Sequence, residues 1–185
     1  DTITNAITAT DNPDEAKEEV RNAVLAGGDH IKVYLTDDDL VNYPAKIAKL
    51  STEVLNAIKE EAAKQGIPTM IHSQTPEDAL TAVRAGAKSI EHIVQPGVVD
   101  TDLPESLIEE ILANGTYVVF TMAIVEAHDG LNPKMPLVLG RMKEIVKEMY
   151  DAGVPIVTGT DSGVPHVSFG SSLHDELRLL VEAGM

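Results

Sequence analysis

Four side chains that can bind a metal ion lie at or near the ends of predicted strands. Lys32 lies in the apolar stretch 31–35, His72 and His92 each close a short apolar run, and Asp161 follows another run on a glycine-bounded turn. In parallel α/β folds, the carboxyl ends of the strands are where the chemistry is placed. Imidazole and carboxylate groups are common ligands of divalent metals. These residues therefore predict a metal centre, provided that the fold gathers their strand ends.

The two histidines have the same offset from a preceding glycine. His72 lies six residues after Gly66, and His92 lies six residues after Gly86. This offset predicts that they end neighbouring strands at equal height, where strands ~4.8 Å apart let two imidazoles share one metal ion. Taken singly, either histidine is open to the ordinary interpretation of a satisfied core residue.

Lys32 lies in the middle of its predicted strand. Alternation along residues 31–35 separates an apolar face from a polar face that carries Lys32 and Tyr34. A lysine that faces a barrel interior is costly to bury unless it is paired, bound or covalently modified. A nearby acid is the ordinary partner, and this alternative stays open. Tyr34, on the same face, is a candidate substrate contact.

A repeated unit supplies the strands that carry these residues. It consists of an amphipathic helix, a glycine suited to the left-handed position past the helix end, and a short apolar strand; the glycines are Gly27, Gly66, Gly86, Gly115 and Gly153. Start signals precede the helices at Pro13, Ser51, Pro76 and Pro104. The pattern predicts an α/β fold with five parallel strands near 31–35, 69–72, 89–93, 117–121 and 155–159.

The distance between the first and the fifth strand distinguishes an open sheet from a closed barrel. In an open sheet these strands would lie ~19 Å apart, and Lys32 and Asp161 would be too distant to serve one centre. Closing the sheet into a barrel brings the two residues to face each other. The chemistry therefore favours a barrel.

Composition restricts the classes of partner. The sequence has 14 basic and 30 acidic residues, a net charge of −16, and it contains no cysteine. The negative charge repels the phosphate backbone of nucleic acids, and the lack of cysteine excludes disulfides and thiolate zinc sites. No apolar run approaches 18 residues. We expect neither nucleic acid nor a membrane as partner, and a cytoplasmic location.

Two further histidines are candidates for substrate contact. His128 lies in the segment 122–136, which is predicted to lengthen the loop after the fourth strand, and His166 follows the Asp161 turn. Long loops at this end of a parallel sheet commonly bind or cover substrate. The alternatives are a tolerated surface insertion and two ordinary exposed histidines.

The sequence resembles the metal-dependent amidohydrolase superfamily through four motifs that occur in order: Ile31-Lys32-Val33, Ile71-His72, Ile90-Glu91-His92 and Gly159-Thr160-Asp161-Ser162-Gly163. It is most similar to the imidazolonepropionase-like branch, which includes Xaa-Pro dipeptidases (prolidases) and carboxypeptidases acting on basic residues. The resemblance implies a partial TIM (β/α)₈ barrel that holds the fourth to the eighth strand. Residues 1–185 would then form a single barrel domain, truncated at both ends.

The resemblance also implies a role for each candidate ligand. Lys32 would be carboxylated on its amine and bridge two divalent metals, His72 and His92 would bind the second metal, and Asp161 would bind the first. A metal-bound hydroxide would attack an amide carbonyl, and Asp161 would pass its proton to the leaving nitrogen.

The implied cofactor is zinc or another divalent metal, with one or two ions bound. The family binds its first metal with a His-x-His pair as well, and these 185 residues contain no such pair. We expect the pair in a preceding segment, so that the present residues alone are not expected to give full occupancy or turnover. The expected partners are a small amide or peptide substrate and either another copy of the chain or the missing N-terminal part of the barrel.

Three functions are therefore to be distinguished. The first is a metal-dependent hydrolase of amide or peptide C–N bonds, dipeptidase- or carboxypeptidase-like. The second is a Schiff-base lyase or aldolase that uses Lys32. The third is a non-catalytic barrel fragment that self-associates through unpaired strand edges.

Overall fold

The computed structural model describes residues 9–37, 48–93 and 102–185. In chain order its helices and strands are α1 (Pro13–Leu25), β1 (Ile31–Leu35), α2 (Thr52–Gln65), β2 (Thr69–Ser73), α3 (Pro76–Arg84), β3 (Ser89–His92), α4 (Glu105–Asn114), β4 (Tyr117–Val119), α5 (Met122–Ala127), α6 (Met135–Asp151) and α7 (Ser171–Glu182).

The helix boundaries follow the predicted start and stop signals. The side chains of Asn12, Ser51 and Thr75 each accept a hydrogen bond from a backbone N–H in the first turn of α1, α2 or α3. Such side-chain caps satisfy N–H groups that have no partner within the helix. Left-handed glycines follow the helix ends as predicted; they are Gly27, Gly66, Gly86, Gly115 and Gly153. The alternation of helices and strands could therefore be predicted from the sequence.

The strands form one parallel sheet in the order β1-β2-β3-β4. One face of the sheet packs against the helices in a single core, which contains Val33, Ile71, Ile90 and Val118 from the strands and Leu55, Val83, Ile111 and Ile145 from the helices. The opposite face carries Lys32, Tyr34, His72 and Glu91. Helices on one face only are the arrangement of a barrel segment, whereas a doubly wound sheet carries helices on both faces. This confirms the predicted partial barrel.

Neighbouring strands are displaced from one another by a constant step. Thr69, three residues after Gly66, pairs with Ile31, four residues after Gly27. Ser89, three residues after Gly86, pairs with Met70, four residues after Gly66. A barrel of eight strands with a shear of eight staggers successive strands by about one residue. The observed stagger is therefore the shear of a barrel.

The fifth predicted strand is reduced to a single bridge, so the prediction of five strands was wrong in its count. Ile156 pairs in parallel with Val118, the N–H of Val118 donates to the carbonyl of Pro155 at 3.0 Å, and the N–H of Val157 donates to the carbonyl of Val118 at 2.9 Å. Pro155 has no N–H to extend the ladder. A regular strand therefore does not form, although the segment runs alongside β4 as predicted.

The segment 122–136 is shorter as a loop than predicted. It opens with the six-residue helix α5, and α6 begins at Met135. The fourth strand also ends early, at Val119 rather than 121, because Thr121 has a left-handed backbone (φ 55°) that a strand does not accommodate. No helix among the residues described is long and apolar enough to cross a membrane.

Candidate metal centre

His72 lies near the end of β2 on the polar face of the sheet. Its side chain is enclosed, with 4% of the residue exposed, and its Nε2 atom is buried without a hydrogen-bond partner. Burial, and then the charge of Lys32, lower the pKa of His72 to about 3. The ring is therefore neutral at physiological pH, with one buried nitrogen left unsatisfied.

His92 lies against His72. The two ring centroids are 4.5 Å apart in an edge-on arrangement. Nδ1 of His92 forms a 2.7 Å hydrogen bond with the hydroxyl oxygen of Thr121. Burial, followed by the charges of His72 and Lys32, holds the pKa of His92 well below its usual value. Two neutral imidazoles thus meet at the carboxyl end of the sheet.

The two histidines do not lie at equal height, and that prediction was wrong. His72 pairs with Glu91, and His92 pairs with Ser73, one residue further along. Shear of the sheet produces this step, and strict alternation would turn His92 to the opposite face. His92 escapes alternation because its backbone is left-handed, with φ at 76°, and Ile93 follows at 67°. Left-handed backbone at residues other than glycine is uncommon and concentrates at functional sites.

Lys32 lies on the polar face of β1 and is less buried than predicted. The exposed fraction of its side chain is 35%, and its Nζ forms an ion pair with Oε2 of Glu91. The other carboxylate oxygen of Glu91 accepts a 2.5 Å hydrogen bond from the hydroxyl of Ser89. The expected acid partner of the lysine is therefore Glu91, on the strand two positions away in the sheet.

Tyr34 joins the same cluster. Its ring lies 4.9 Å from the ring of His72. Burial raises the pKa of the Tyr34 hydroxyl, and the negative charges of Asp161 and then Glu91 add to this effect. Asp161 thus lies near enough to β1 for its charge to act on Tyr34.

Asp161 occupies a different environment from the histidines. It is exposed, and its backbone is left-handed with φ at 53°. The turn around it is tied together by hydroxyl groups, since Thr160 and Ser162 share a 2.6 Å hydrogen bond and Ser162 reaches Ser172 of α7 at 2.9 Å. Its carboxylate is accessible at the mouth of the polar face.

His128 and His166 come together, with ring centroids 5.6 Å apart. Nδ1–H of His128 donates to the carbonyl of Ile124 at 2.8 Å, which leaves Nε2 of the neutral ring as an acceptor. His166 borders a cavity of about 140 Å³ that is also lined by Glu126, Ser168 and Asp175. The pair is available at this end of the sheet, and its role in substrate contact stays a prediction.

The donor atoms can be compared with what a divalent metal requires. Across residues 9–37, 48–93 and 102–185, no three His, Asp or Glu side chains form a group that would hold a metal ion by themselves. The His72–His92 pair does offer neutral imidazoles with one buried, unpartnered nitrogen, which is the form in which histidine binds metals. These two residues fit a divalent metal; the assignment of Lys32 and Asp161 as ligands stays a prediction.

Two residues of the site were not identified from the sequence. Glu91 belongs to the Ile90-Glu91-His92 motif, and alternation places it on the polar face that also carries Lys32. That pattern was a usable signal. Thr121 was not singled out, because nothing in the local sequence indicates that its hydroxyl reaches His92 across 29 residues of chain.

Comparisons with known proteins agree with this arrangement. Residues 3–185 match the model of the Amidohydrolase family. The curated ochratoxinase of Aspergillus niger is 29% identical over 184 residues, which cover 94% of this chain and 36% of that protein. The chain therefore spans about a third of the length of this relative.

Solved structures show the same relationship. A Xaa-Pro dipeptidase with methionine bound in its active site superposes with a TM-score of 0.77 at 25% identity, covering 95% of this chain and 44% of that one. The Aspergillus niger ochratoxinase superposes with a TM-score of 0.76 at 27% identity, over 95% and 39% of the two chains. A putative prolidase from Bifidobacterium longum gives 0.75 at 26% identity, over 96% and 46%. The sheet, the paired histidines and these matches together show that the chain belongs to the amidohydrolase family.

Proposed function

We propose that this chain supplies the His72–His92 part of a divalent-metal site in a hydrolase that cleaves amide or peptide C–N bonds. The observation that carries the proposal is the buried Nε2 atom of His72, which has no hydrogen-bond partner and lies on a ring 4.5 Å from that of His92. A buried polar atom without a partner costs about 1–3 kcal/mol. A metal ligand bond would offset that cost.

The protonation state of the two rings supports the proposal. A metal binds imidazole through the lone pair of the neutral form. Burial lowers the pKa of both rings. Both imidazoles are therefore already neutral at neutral pH, and neither has to lose the proton of an imidazolium before a metal binds. A divalent metal held there would polarise the amide carbonyl and activate a water molecule.

Lys32 requires a chemical change before it can act as a ligand. Its ammonium group is a donor without a free lone pair, and in this structure it is paired with Glu91. We propose that its amine, after losing a proton, adds to the carbon of CO₂ and releases a second proton, which gives a carbamate with one negative charge. Glu91 would then release the nitrogen and keep its hydrogen bond from Ser89.

We infer that Asp161 and Tyr34 act on the substrate. Asp161 is exposed, and its charge reaches Tyr34 across the mouth of the site. We propose that Asp161 takes up a proton during attack and returns it to the leaving nitrogen. The substrate would be a small amide or peptide, in line with the dipeptidase and ochratoxinase to which the chain is similar.

The decisive experiment is a metal titration of chelator-treated protein. We expect Zn²⁺ to bind with a stoichiometry near one, and we expect this binding to be lost in His72→Gln. Elemental analysis after gel filtration measures the stoichiometry. His174→Gln is the matched control, because His174 is an exposed histidine on α7 and its replacement should leave binding unchanged. Failure of the unaltered protein to bind Zn²⁺, or equal binding by His72→Gln, would refute the proposed site.

Activity is tested on the same samples with Xaa-Pro dipeptides. Release of proline that depends on Zn²⁺ and disappears in His72→Gln would support amide hydrolysis. The Schiff-base alternative makes the opposite prediction, namely covalent trapping of a carbonyl compound at Lys32 by borohydride without any metal. Metal-independent trapping at Lys32 would replace the hydrolase proposal.

A further inference from the structure

The helix α5 begins without a cap from its own sequence. Thr121 occupies the N-cap position, where a threonine hydroxyl ordinarily accepts a hydrogen bond from an N–H of the first turn. Here Thr121 has φ at 55° and ψ at 41°, and its side chain makes no capping hydrogen bond. The N–H groups at the start of α5 have no partner within the helix and are buried, so they require another acceptor.

Glu176 provides that acceptor from a distant part of the chain. Its residue is 1% exposed, and its carboxylate accepts a 2.6 Å hydrogen bond from the N–H of Ala123. Burial raises the pKa of Glu176, while the hydrogen bond from the N–H of Ala123 acts in the opposite direction. The carboxylate of Glu176 in α7 thus binds an N–H group at the beginning of α5.

Because Glu176 accepts a hydrogen bond at the start of α5, the hydroxyl of Thr121 is available for a hydrogen bond elsewhere. Instead of capping α5, the hydroxyl forms the 2.7 Å hydrogen bond with Nδ1 of His92. A hydrogen bond at one ring nitrogen fixes the tautomer and orientation of a histidine and leaves the other nitrogen for a metal. Glu176 of α7 is thus linked to the ring of His92 through the start of α5, where Ala123 contacts the carboxylate and Thr121 contacts the ring.

We propose that Glu176 is a positioning residue for His92, acting through Thr121. By holding the start of α5, the carboxylate keeps Thr121 in its left-handed conformation and its hydroxyl on Nδ1 of His92. Loss of this support lets Thr121 return to the ordinary capping role and releases the histidine ring. The inference rests on the proposed metal site, and it adds a residue from the last helix to that site.

The test measures Zn²⁺ affinity, by competition with a chromophoric chelator, in Glu176→Gln, in Thr121→Val and in the double variant. Thr121→Val removes the hydroxyl at constant shape and should weaken Zn²⁺ binding about 10-fold, the lower end of the range for residues that support a ligand. Glu176→Gln keeps the size of the side chain and should weaken it about 3- to 10-fold. Because both changes act on the same contact, the double variant should bind no more weakly than Thr121→Val.

A second measurement needs no metal. The ring ¹⁵N resonances of His92 in metal-free protein should shift in Glu176→Gln in the same direction as in Thr121→Val. Glu182→Gln is the control, because it removes the ion pair with Lys143 of α6 and the one with Arg178 within α7, while the contact of Glu176 with Ala123 and the ion pair of Arg178 with Glu126 of α5 remain. It should change neither the ¹⁵N shifts nor the Zn²⁺ affinity.

The outcomes separate this inference from the proposed function. If the unaltered protein binds no Zn²⁺, the metal site fails, whereas the ¹⁵N shifts still test the contact. Unchanged His92 resonances in Glu176→Gln, fully additive losses in the double variant, or an equal loss in Glu182→Gln would each overturn the positioning role.

Discussion

The centre and the edge of the sheet hold the proposed site in different ways. At the centre, His72 belongs to β2, which pairs with β1 on one side and β3 on the other, and the residue is enclosed. At the edge, the segment 155–161 pairs with β4 through a single bridge and presents Asp161 to solvent. Within the part of the chain that the structure describes, backbone pairing on two sides therefore accompanies the buried histidine, and pairing on one side accompanies the exposed carboxylate.

This difference indicates how the two groups can work. An enclosed imidazole keeps a fixed position and stays neutral, as a metal ligand requires. An exposed carboxylate on a segment with a single bridge is free to change its position more than an enclosed ring. We expect changes at the centre to affect stability and metal affinity more than equivalent changes at the edge.

The largest expected effect compares one apolar side chain from each region. Ile90→Ala should destabilise the fold by about 2–5 kcal/mol, because Ile90 is 0% exposed and its loss leaves a cavity in the core. Val157→Ala should cost less than about 1 kcal/mol, because Val157 is 39% exposed. Urea denaturation followed by circular dichroism measures both. Equal costs would show that the edge segment is as tightly packed as the centre.

The next effect compares the proposed metal ligand His72 with the proposed proton carrier Asp161. His72→Gln should weaken Zn²⁺ binding more than about 100-fold, since loss of a ligand should exceed the 10–100-fold effect of residues that only support one. Asp161→Asn should weaken it about 10-fold or less. Isothermal titration calorimetry on chelator-treated protein gives the two affinities. A greater loss in Asp161→Asn than in His72→Gln would reverse the proposed division of roles.

A close approach of backbone to side chain holds the edge segment in place. A Cβ atom at Gly159 would lie 2.5 Å from Cγ1 of Val119, so Gly159→Ala should destabilise the fold by about 1–3 kcal/mol. Gly140→Ala is the matched control, because Gly140 lies inside α6 with open space around it, and alanine there should stabilise by about 0.5–1 kcal/mol. Thermal unfolding measures both changes: the midpoint temperature should fall in Gly159→Ala and rise in Gly140→Ala. A neutral Gly159→Ala would show that the side chain of Val119 does not confine the segment at Gly159.

The smallest effect is the pH dependence of stability in the metal-free chain. Above pH 6.5 His72 is neutral in both the folded and the unfolded state, and below that value the unfolded state takes up its proton first, because the folded pKa is about 3. Stability should therefore fall by about 1 kcal/mol from His72 alone between pH 7 and pH 5.5. Glu176, whose pKa is raised by burial, contributes in the opposite sense.

The contribution of His72 is isolated by comparing urea unfolding of the unaltered chain with that of His72→Gln at the two pH values. The unaltered chain should lose more stability than the variant as the pH falls. Equal losses in the two proteins would mean that the His72 ring is solvated in the folded state.

Much of the fold could be predicted because its signals are local. Helix caps and left-handed glycines at Gly66, Gly86 and Gly115 act within a few residues of chain, and they mark each βα unit. The one-residue stagger between strands was not predicted, since it is set by closure of the sheet. The fifth strand was overcounted for a related reason, because an apolar run shows β propensity without showing how many neighbours the strand will have.

For the site, the sequence by itself determined which residue types are available and which strand ends carry them: a lysine, two histidines and a carboxylate, each placed by its own glycine-punctuated unit. Only the tertiary structure decided their surroundings. It gave Lys32 the partner Glu91, turned His92 onto His72 by a left-handed backbone, and joined Ala123 to Glu176. The physical reason is range: caps and turns depend on neighbours in the chain, whereas burial, charge and hydrogen bonds between strands depend on neighbours in space.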